Sequence, residues 1–259
     1  MKVISWNVNS IRTRLPRMLA LLERHRPDVL CLQETKVRDD DFPMDEIART
    51  GYRAESFGQK TYNGVALLSR SSMSGVTHGF PGDPAADQAR VIGGAVNGIR
   101  ILNLYVINGE AVDSPKYQLK LRWLDAMARW LEQEFDSAQP LLLVGDFNIA
   151  PNDRDVHDPE QWRGRVHCSE PERERLRTLE SWGLVDVTQS HHPEGGPHTW
   201  WDYRGGAFHR GWGLRIDLAL ATEAVASRCT GVEIDRDERK PSSGEGKPSD
   251  HAPLIVQLA

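Results

Sequence analysis

A chain of 259 residues, 39% hydrophobic and 27% charged, carries enough apolar material for a substantial core, in one large domain or two small ones. Its net charge of −5 lacks the basic balance common in nucleic-acid-binding domains, although a local basic face can coexist with an acidic total. No run of about 18 apolar residues is present, no charged-then-apolar leader opens the chain, and Cys31, Cys168 and Cys229 lack disulfide or zinc spacing, so a cytoplasmic protein without membrane contact is expected.

In chain order, the pattern predicts a strand at about 2–8 and a helix at about 14–25, with Leu15, Met18, Leu19 and Leu22 at three- and four-residue intervals. Strands follow at about 28–33 and twice within 52–70, then a loop at 79–84 and a hairpin at 90–106 turning on Asn97-Gly98. Ser114 as N-cap and Pro115 at the first helical position open a helix to about 135. After a strand at 141–146, a helix is predicted near 170–182 and strands at about 198–203, 215–221, 229–234 and 254–258, with 240–246 as a loop. Continuous apolar runs among hairpins and strand–helix units favour sheets covered by helices on one face and packed together on the other. A single α/β sandwich domain over 1–259 is expected.

The chemistry collects at strand ends. Asn7 follows Val3-Ile4-Ser5-Trp6, Glu34 follows Val29-Leu30-Cys31-Leu32-Gln33, Gly145-Asp146-Phe147-Asn148 ends an apolar run, and Asp250-His251 precedes Leu254-Ile255-Val256. A carboxylate at such a rim can hold a divalent cation or polarise a water, which points to a metal-assisted hydrolase. Taken singly, Glu34 also fits a cap carboxylate, Gly-Asp-x-Asn an Asx turn, and His251 a loop histidine. Basic groups at Arg12, Arg14 and Arg17, at Lys116, Lys120 and Arg122, and at Arg204, Arg210 and Arg215 fit either a DNA-facing surface or solvated faces.

Together, Trp6-Asn7-Val8-Asn9-Ser10-Ile11-Arg12, Leu32-Gln33-Glu34-Thr35-Lys36, Tyr105-Val106-Ile107-Asn108-Gly109, Gly145-Asp146-Phe147-Asn148-Ile149-Ala150-Pro151, Leu214-Arg215-Ile216-Asp217 and Pro248-Ser249-Asp250-His251-Ala252-Pro253 resemble the exonuclease III family of abasic-site endonucleases. The motifs stand in family order over essentially the whole chain. The resemblance implies a DNase I-like α/β fold, a four-layer sandwich of two packed mixed β-sheets flanked by helices. It implies Mg²⁺, with Mn²⁺ as substitute, held among Asn7, Glu34, Asp146, Asn148, Asp250 and His251. It also implies catalysis by Tyr105, Asp146, Asn148, Asp217 and His251, with Asp217 orienting His251.

Phosphodiester cleavage needs such groups, because an activated water, a neutralised phosphoryl oxygen and a stabilised leaving oxygen are separate tasks. By the same resemblance Lys60, Asn63, Arg90, Lys116 and Lys120 would contact DNA backbone, and Trp200 and Leu214 would line a pocket for a base-free sugar. Ile107 stands where the family commonly has Pro. The implied activity is a DNA phosphodiesterase of base-excision repair, a monomer acting on duplex DNA at abasic sites and 3′ ends, with 3′→5′ exonuclease and 3′-phosphatase reactions sharing one pocket. The alternatives are another phosphoesterase of the superfamily, acting on RNA, inositol phosphates or lipid, and a catalytically inactive nucleic-acid-binding regulator.

Overall fold

Leu141 and Leu143 face one apolar cluster while Leu142 and Val144 face another, and Val3 and Ile4 divide in the same way. Successive strand side chains point to opposite faces, so a strand buried on both faces needs an unbroken apolar run. The computed structural model describes residues 1–259. Its first seven strands are β1 (Lys2–Asn7), β2 (Val29–Gln33), β3 (Arg53–Phe57), β4 (Val65–Ser69), β5 (Ser74–His78), β6 (Val91–Val96) and β7 (Ile99–Tyr105). The remaining strands are β8 (Leu141–Asp146), β9 (Leu184–Asp186), β10 (Trp200–Trp201), β11 (Gly213–Leu214), β12 (Asp217–Thr222), β13 (Cys229–Ile234) and β14 (Leu254–Leu258).

They form two six-stranded sheets, ordered β13-β14-β1-β2-β4-β3 and β5-β6-β7-β8-β12-β9, with β10 and β11 as a separate two-stranded ribbon. Each large sheet is mixed: β1 runs parallel to β2 and β7 parallel to β8, and the other pairings are antiparallel. The sheets pack on each other through one cluster that joins Val3, Val29 and Val65 to Ile101, Leu142 and Ala219. Helix Ile11–His25 covers the outer face of the first sheet, through Met18, Leu21 and Leu22. Helices Pro115–Glu134 and Glu170–Trp182 cover the second, through Trp123, Leu124, Leu176 and Leu179. The layer order is therefore helix, sheet, sheet, helix, as expected.

Local chemistry fixes the element boundaries. Ser114 accepts a hydrogen bond from the Tyr117 amide at the start of its helix, and Asn97 and Gly98 both take positive φ in the β6–β7 turn. The strands expected at 198–203 and 215–221 appear as the Trp200–Trp201 and Gly213–Leu214 ribbon followed by β12. Edge strand β5 was not anticipated, because its residues are exposed or half-buried and show no apolar alternation. No helix is long and apolar enough to cross a membrane.

Candidate active site

Strand registry assembles the site. Tyr105 pairs with Asp146 across β7 and β8, and Asp146 pairs with Asp217 across β8 and β12. Asn7 ends β1 in the facing sheet, Glu34 follows β2, and Asp250-His251 enters β14, the antiparallel neighbour of β1. The loop before β14 is tied down: Ser249 Oγ donates to the Asn7 carbonyl at 2.7 Å, and Trp6 Nε1 donates to the His251 carbonyl at 3.1 Å. Glycine at 145 is required, since a Cβ there would lie 1.9 Å from the Leu104 carbonyl oxygen at φ +143°.

Oxygen or nitrogen atoms of Glu34, Asp146 and His251 lie within 4.8 Å of one another. Asn7 Nδ2 bridges the two acids, donating to Glu34 Oε1 at 2.8 Å and Asp146 Oδ2 at 2.9 Å. Its oxygen accepts the Asn9 amide at 2.9 Å, and that backbone donor fixes which way the side chain points. Asn7 thus orients the two carboxylates through its nitrogen, while its oxygen keeps a second lone pair.

His251 Nδ1 lies 2.8 Å from Asp217 Oδ2, and its Nε2 lies 3.8 Å from Asp146 Oδ2. Burial pulls the imidazole pKa down, but Asp217 and Asp146 outweigh burial and raise it to about 10. With Nδ1 engaged by Asp217, Nε2 is left facing Asp146, where it donates a proton when charged and can join Glu34 and Asp146 around a cation when neutral. Asp217 is held by Thr199, whose hydroxyl oxygen accepts the Ile216 and Asp217 amides at 3.1 and 3.0 Å.

Asp146 is pushed up by burial, against the pull of His251, with Asp217 and Glu34 adding to the push. Two acids crowded in a dry site are the donor set that a hard cation suits, because it supplies the charge their repulsion demands. Glu34 and Asp146 therefore fit a divalent metal. Asp250 stands aside: Asn9 Nδ2 donates to one oxygen at 2.9 Å and Trp200 Nε1 to the other at 3.1 Å. Burial raises its pKa, yet His251 and those donors outweigh burial and keep Asp250 ionised.

Asn148 Oδ1 accepts from Asn108 at 3.0 Å, and its Nδ2 donates to the Val106 carbonyl at 2.9 Å, which fixes the side chain in the loop after β8. One amide hydrogen remains to meet a phosphate oxygen. The Tyr105 pKa is driven well up by burial, then by Glu34 and Asp146, so the phenol keeps its proton and can donate. Asn9, Glu34, Lys36 and Asn148 all take positive φ, a costly conformation for residues with a Cβ and one that clusters at functional sites.

The structure corrects several DNA-contact expectations. Lys120 is fully buried, paired with Glu172 and donating to the Asn108 and Asn148 carbonyls at 3.2 and 2.7 Å. It braces the loop after β8. Arg90 is buried with its guanidinium 4.8 Å from the Tyr105 ring centre, and Asn63 is a buried turn residue whose amide donates to Gln59. Leu214 is fully buried among Ala150, Val156, Cys168 and Ile216, with Trp162 and Trp200 packed against this small cluster. Lys60 and Lys116 are exposed and Trp200 is half-buried. Of the basic groups, Arg14, Arg17 and Arg215 are buried; Arg215 sits between Asp155 and Asp186.

Asn9, Lys36, Asn108 and Thr199 were not singled out from sequence. Lys36 Nζ reaches Glu34 at 2.7 Å and Asn9 Oδ1 at 2.5 Å. The first three lie inside the quoted motifs, which was the available signal. Thr199 had none.

Packed mixed sheets whose strand ends converge on two acids and an aspartate-held imidazolium define a hydrolase of phosphoesters. The chain belongs to the endonuclease/exonuclease/phosphatase family, whose model matches residues 4–251. It is 35% identical to exodeoxyribonuclease III of Haemophilus influenzae over the whole of both chains. Among solved structures, a 3′ phosphatase from Neisseria bound to a product DNA hairpin has 43% identity and a TM-score of 0.95, covering 100% of this chain and 99% of that one. An AP endonuclease from Archaeoglobus fulgidus has 38% identity and a TM-score of 0.93 with the same coverage.

Proposed function

We propose that the protein is a Mg²⁺-dependent DNA phosphodiesterase of base-excision repair, acting on duplex DNA 5′ to abasic sites and at 3′ ends. Residues 1–259 would work as one domain and as a monomer in the cytoplasm. One observation carries the reading: His251, held 2.8 Å from Asp217, faces Asp146 beside Glu34. Glu34 and Asp146 would hold the cation, with Mn²⁺ as a substitute; when bound it supplies Lewis-acid neutralisation of phosphoryl charge. Asp146 orients the attacking water. His251 donates its Nε2 proton toward a non-bridging oxygen, and Tyr105 and Asn148 offer further donors to the phosphoryl group.

Within that function, the packing of Leu214 favours hydrolysis at 3′ ends over capture of a flipped sugar, and the Neisseria relative is itself described as a 3′ phosphatase. The test is parallel cleavage of an abasic duplex and a 3′-phosphate duplex, with Mg²⁺ and with EDTA, by wild type and Asp146→Ala. Hydrolysis that persists in EDTA or in the variant contradicts the proposal, and faster abasic incision than 3′-phosphate release contradicts the preference.

A further inference from the structure

Five aromatic rings from three separate segments form a line that ends at the catalytic loop. Trp212 lies 6.2 Å from His157, nearly parallel at 21°; His157 lies 6.4 Å from Trp162; Trp162 lies 6.3 Å from His167; and His167 lies 6.5 Å from Trp200. Trp200 then donates to Asp250 at 3.1 Å and forms a backbone bridge with His251. At the outer end Trp212 is 44% exposed, and the Arg210 guanidinium lies 4.5 Å from its ring centre. Arg210 is itself exposed and has no carboxylate partner.

Holding the loops together accounts for the inner rings. The His157 amide donates to the Gly213 carbonyl at 3.1 Å, and Val156 bridges to Leu214. It does not account for a partly exposed indole carrying the unpaired Arg210 guanidinium on its ring. Aromatic faces interleaved with free cations are the chemistry that binds unpaired nucleobases, since every base has a face to stack and each phosphate a charge to meet. An exposed cation–π contact is weak, so a base can displace the Arg210 guanidinium from Trp212 and release it to a phosphate.

We propose that Trp212, with Arg210 and the adjoining His157 and Trp162 rings, is a stacking track for unpaired nucleotides at the DNA end whose phosphoester enters the catalytic site. The inference rests on the proposed DNA-hydrolase function and adds a substrate class to it, frayed or single-stranded 3′ ends. The track makes the enzyme prefer an end that has already melted.

The experiment compares wild type, Trp212→Ala and Trp212→Phe, each checked for an unaltered melting temperature. Binding of oligodeoxythymidylate is followed in EDTA by fluorescence polarisation of a labelled oligonucleotide, and kcat/KM is measured on 3′-phosphate duplexes with paired or frayed ends. Trp212→Ala is expected to weaken oligonucleotide binding about tenfold and to lower the frayed-to-paired ratio by a similar factor, with Trp212→Phe restoring most of both. Unchanged binding, or equal loss on the two duplexes, overturns the proposal. Failure of the underlying function would look different: wild type would hydrolyse neither duplex, while the binding measurement in EDTA would still decide the track.

Discussion

Two kinds of buried charge lie close together in this molecule, and they are finished differently. In the struts, Lys120 is matched by Glu172, and Arg215 by Asp155 and Asp186, all essentially without solvent exposure. At the catalytic rim, the four acids Glu34, Asp146, Asp217 and Asp250 meet two cations in direct pairs, Lys36 and His251, with Arg90 buried nearby. Charge closed upon itself holds loops in place. Charge left in excess beside solvent is capacity for a ligand, here a divalent cation and the phosphoester it accompanies.

Substitutions at the rim and at the struts should separate these roles. The largest effect is expected for Asp146→Ala and His251→Ala, each lowering kcat on a 3′-phosphate duplex by about 10³-fold while the melting temperature holds or rises, as measured by steady-state kinetics and calorimetry. Loss of fold instead would make the rim another strut. Lys120→Met should do the reverse in kind, costing about 3–5 kcal/mol in urea denaturation because it strands Glu172; adding Glu172→Gln should return most of that stability.

A smaller effect is expected from pH. Burial, reinforced by Lys120, pushes His167 down from 6.5 to about 4. The unfolded chain then binds more protons between these values, so stability rises with pH across that window and is flat below it. His167→Asn, which tolerates the positive φ there, should reduce this pH dependence by on the order of 3 kcal/mol, read as the difference between denaturation midpoints near pH 4 and near pH 7. The smallest effect belongs to the exposed Arg12–Asp41 pair: Arg12→Ala should change stability by less than about 1 kcal/mol.

What the sequence revealed and concealed follows the same division. The strands with apolar runs, β1, β2, β8 and β14, were legible because burial on two faces leaves an unbroken signature, and β5 was not because an exposed edge leaves none. Glu34, Asp146, Asp217 and His251 were legible as a set through their motifs, and the structure brings them together. Lys120 and Arg90 read as cations available to DNA, and Arg17 and Arg215 as either DNA-facing or solvated, because sequence does not reveal an acid or carbonyl waiting far along the chain. Arg17 is met by the carbonyls of Glu238, Lys240, Pro241, Gly244 and Gly246. The same distance hid Leu214, whose neighbours come from segments at 150, 156 and 168.

The central claim, that Glu34 and Asp146 share one divalent cation beside a protonated His251, is tested most directly by titrating Mg²⁺ into wild type and Glu34→Gln while following 3′-phosphate release. The account predicts no hydrolysis without metal, and an apparent Mg²⁺ requirement at least about tenfold higher in the variant. Superimposable titration curves, or hydrolysis in EDTA, would contradict it.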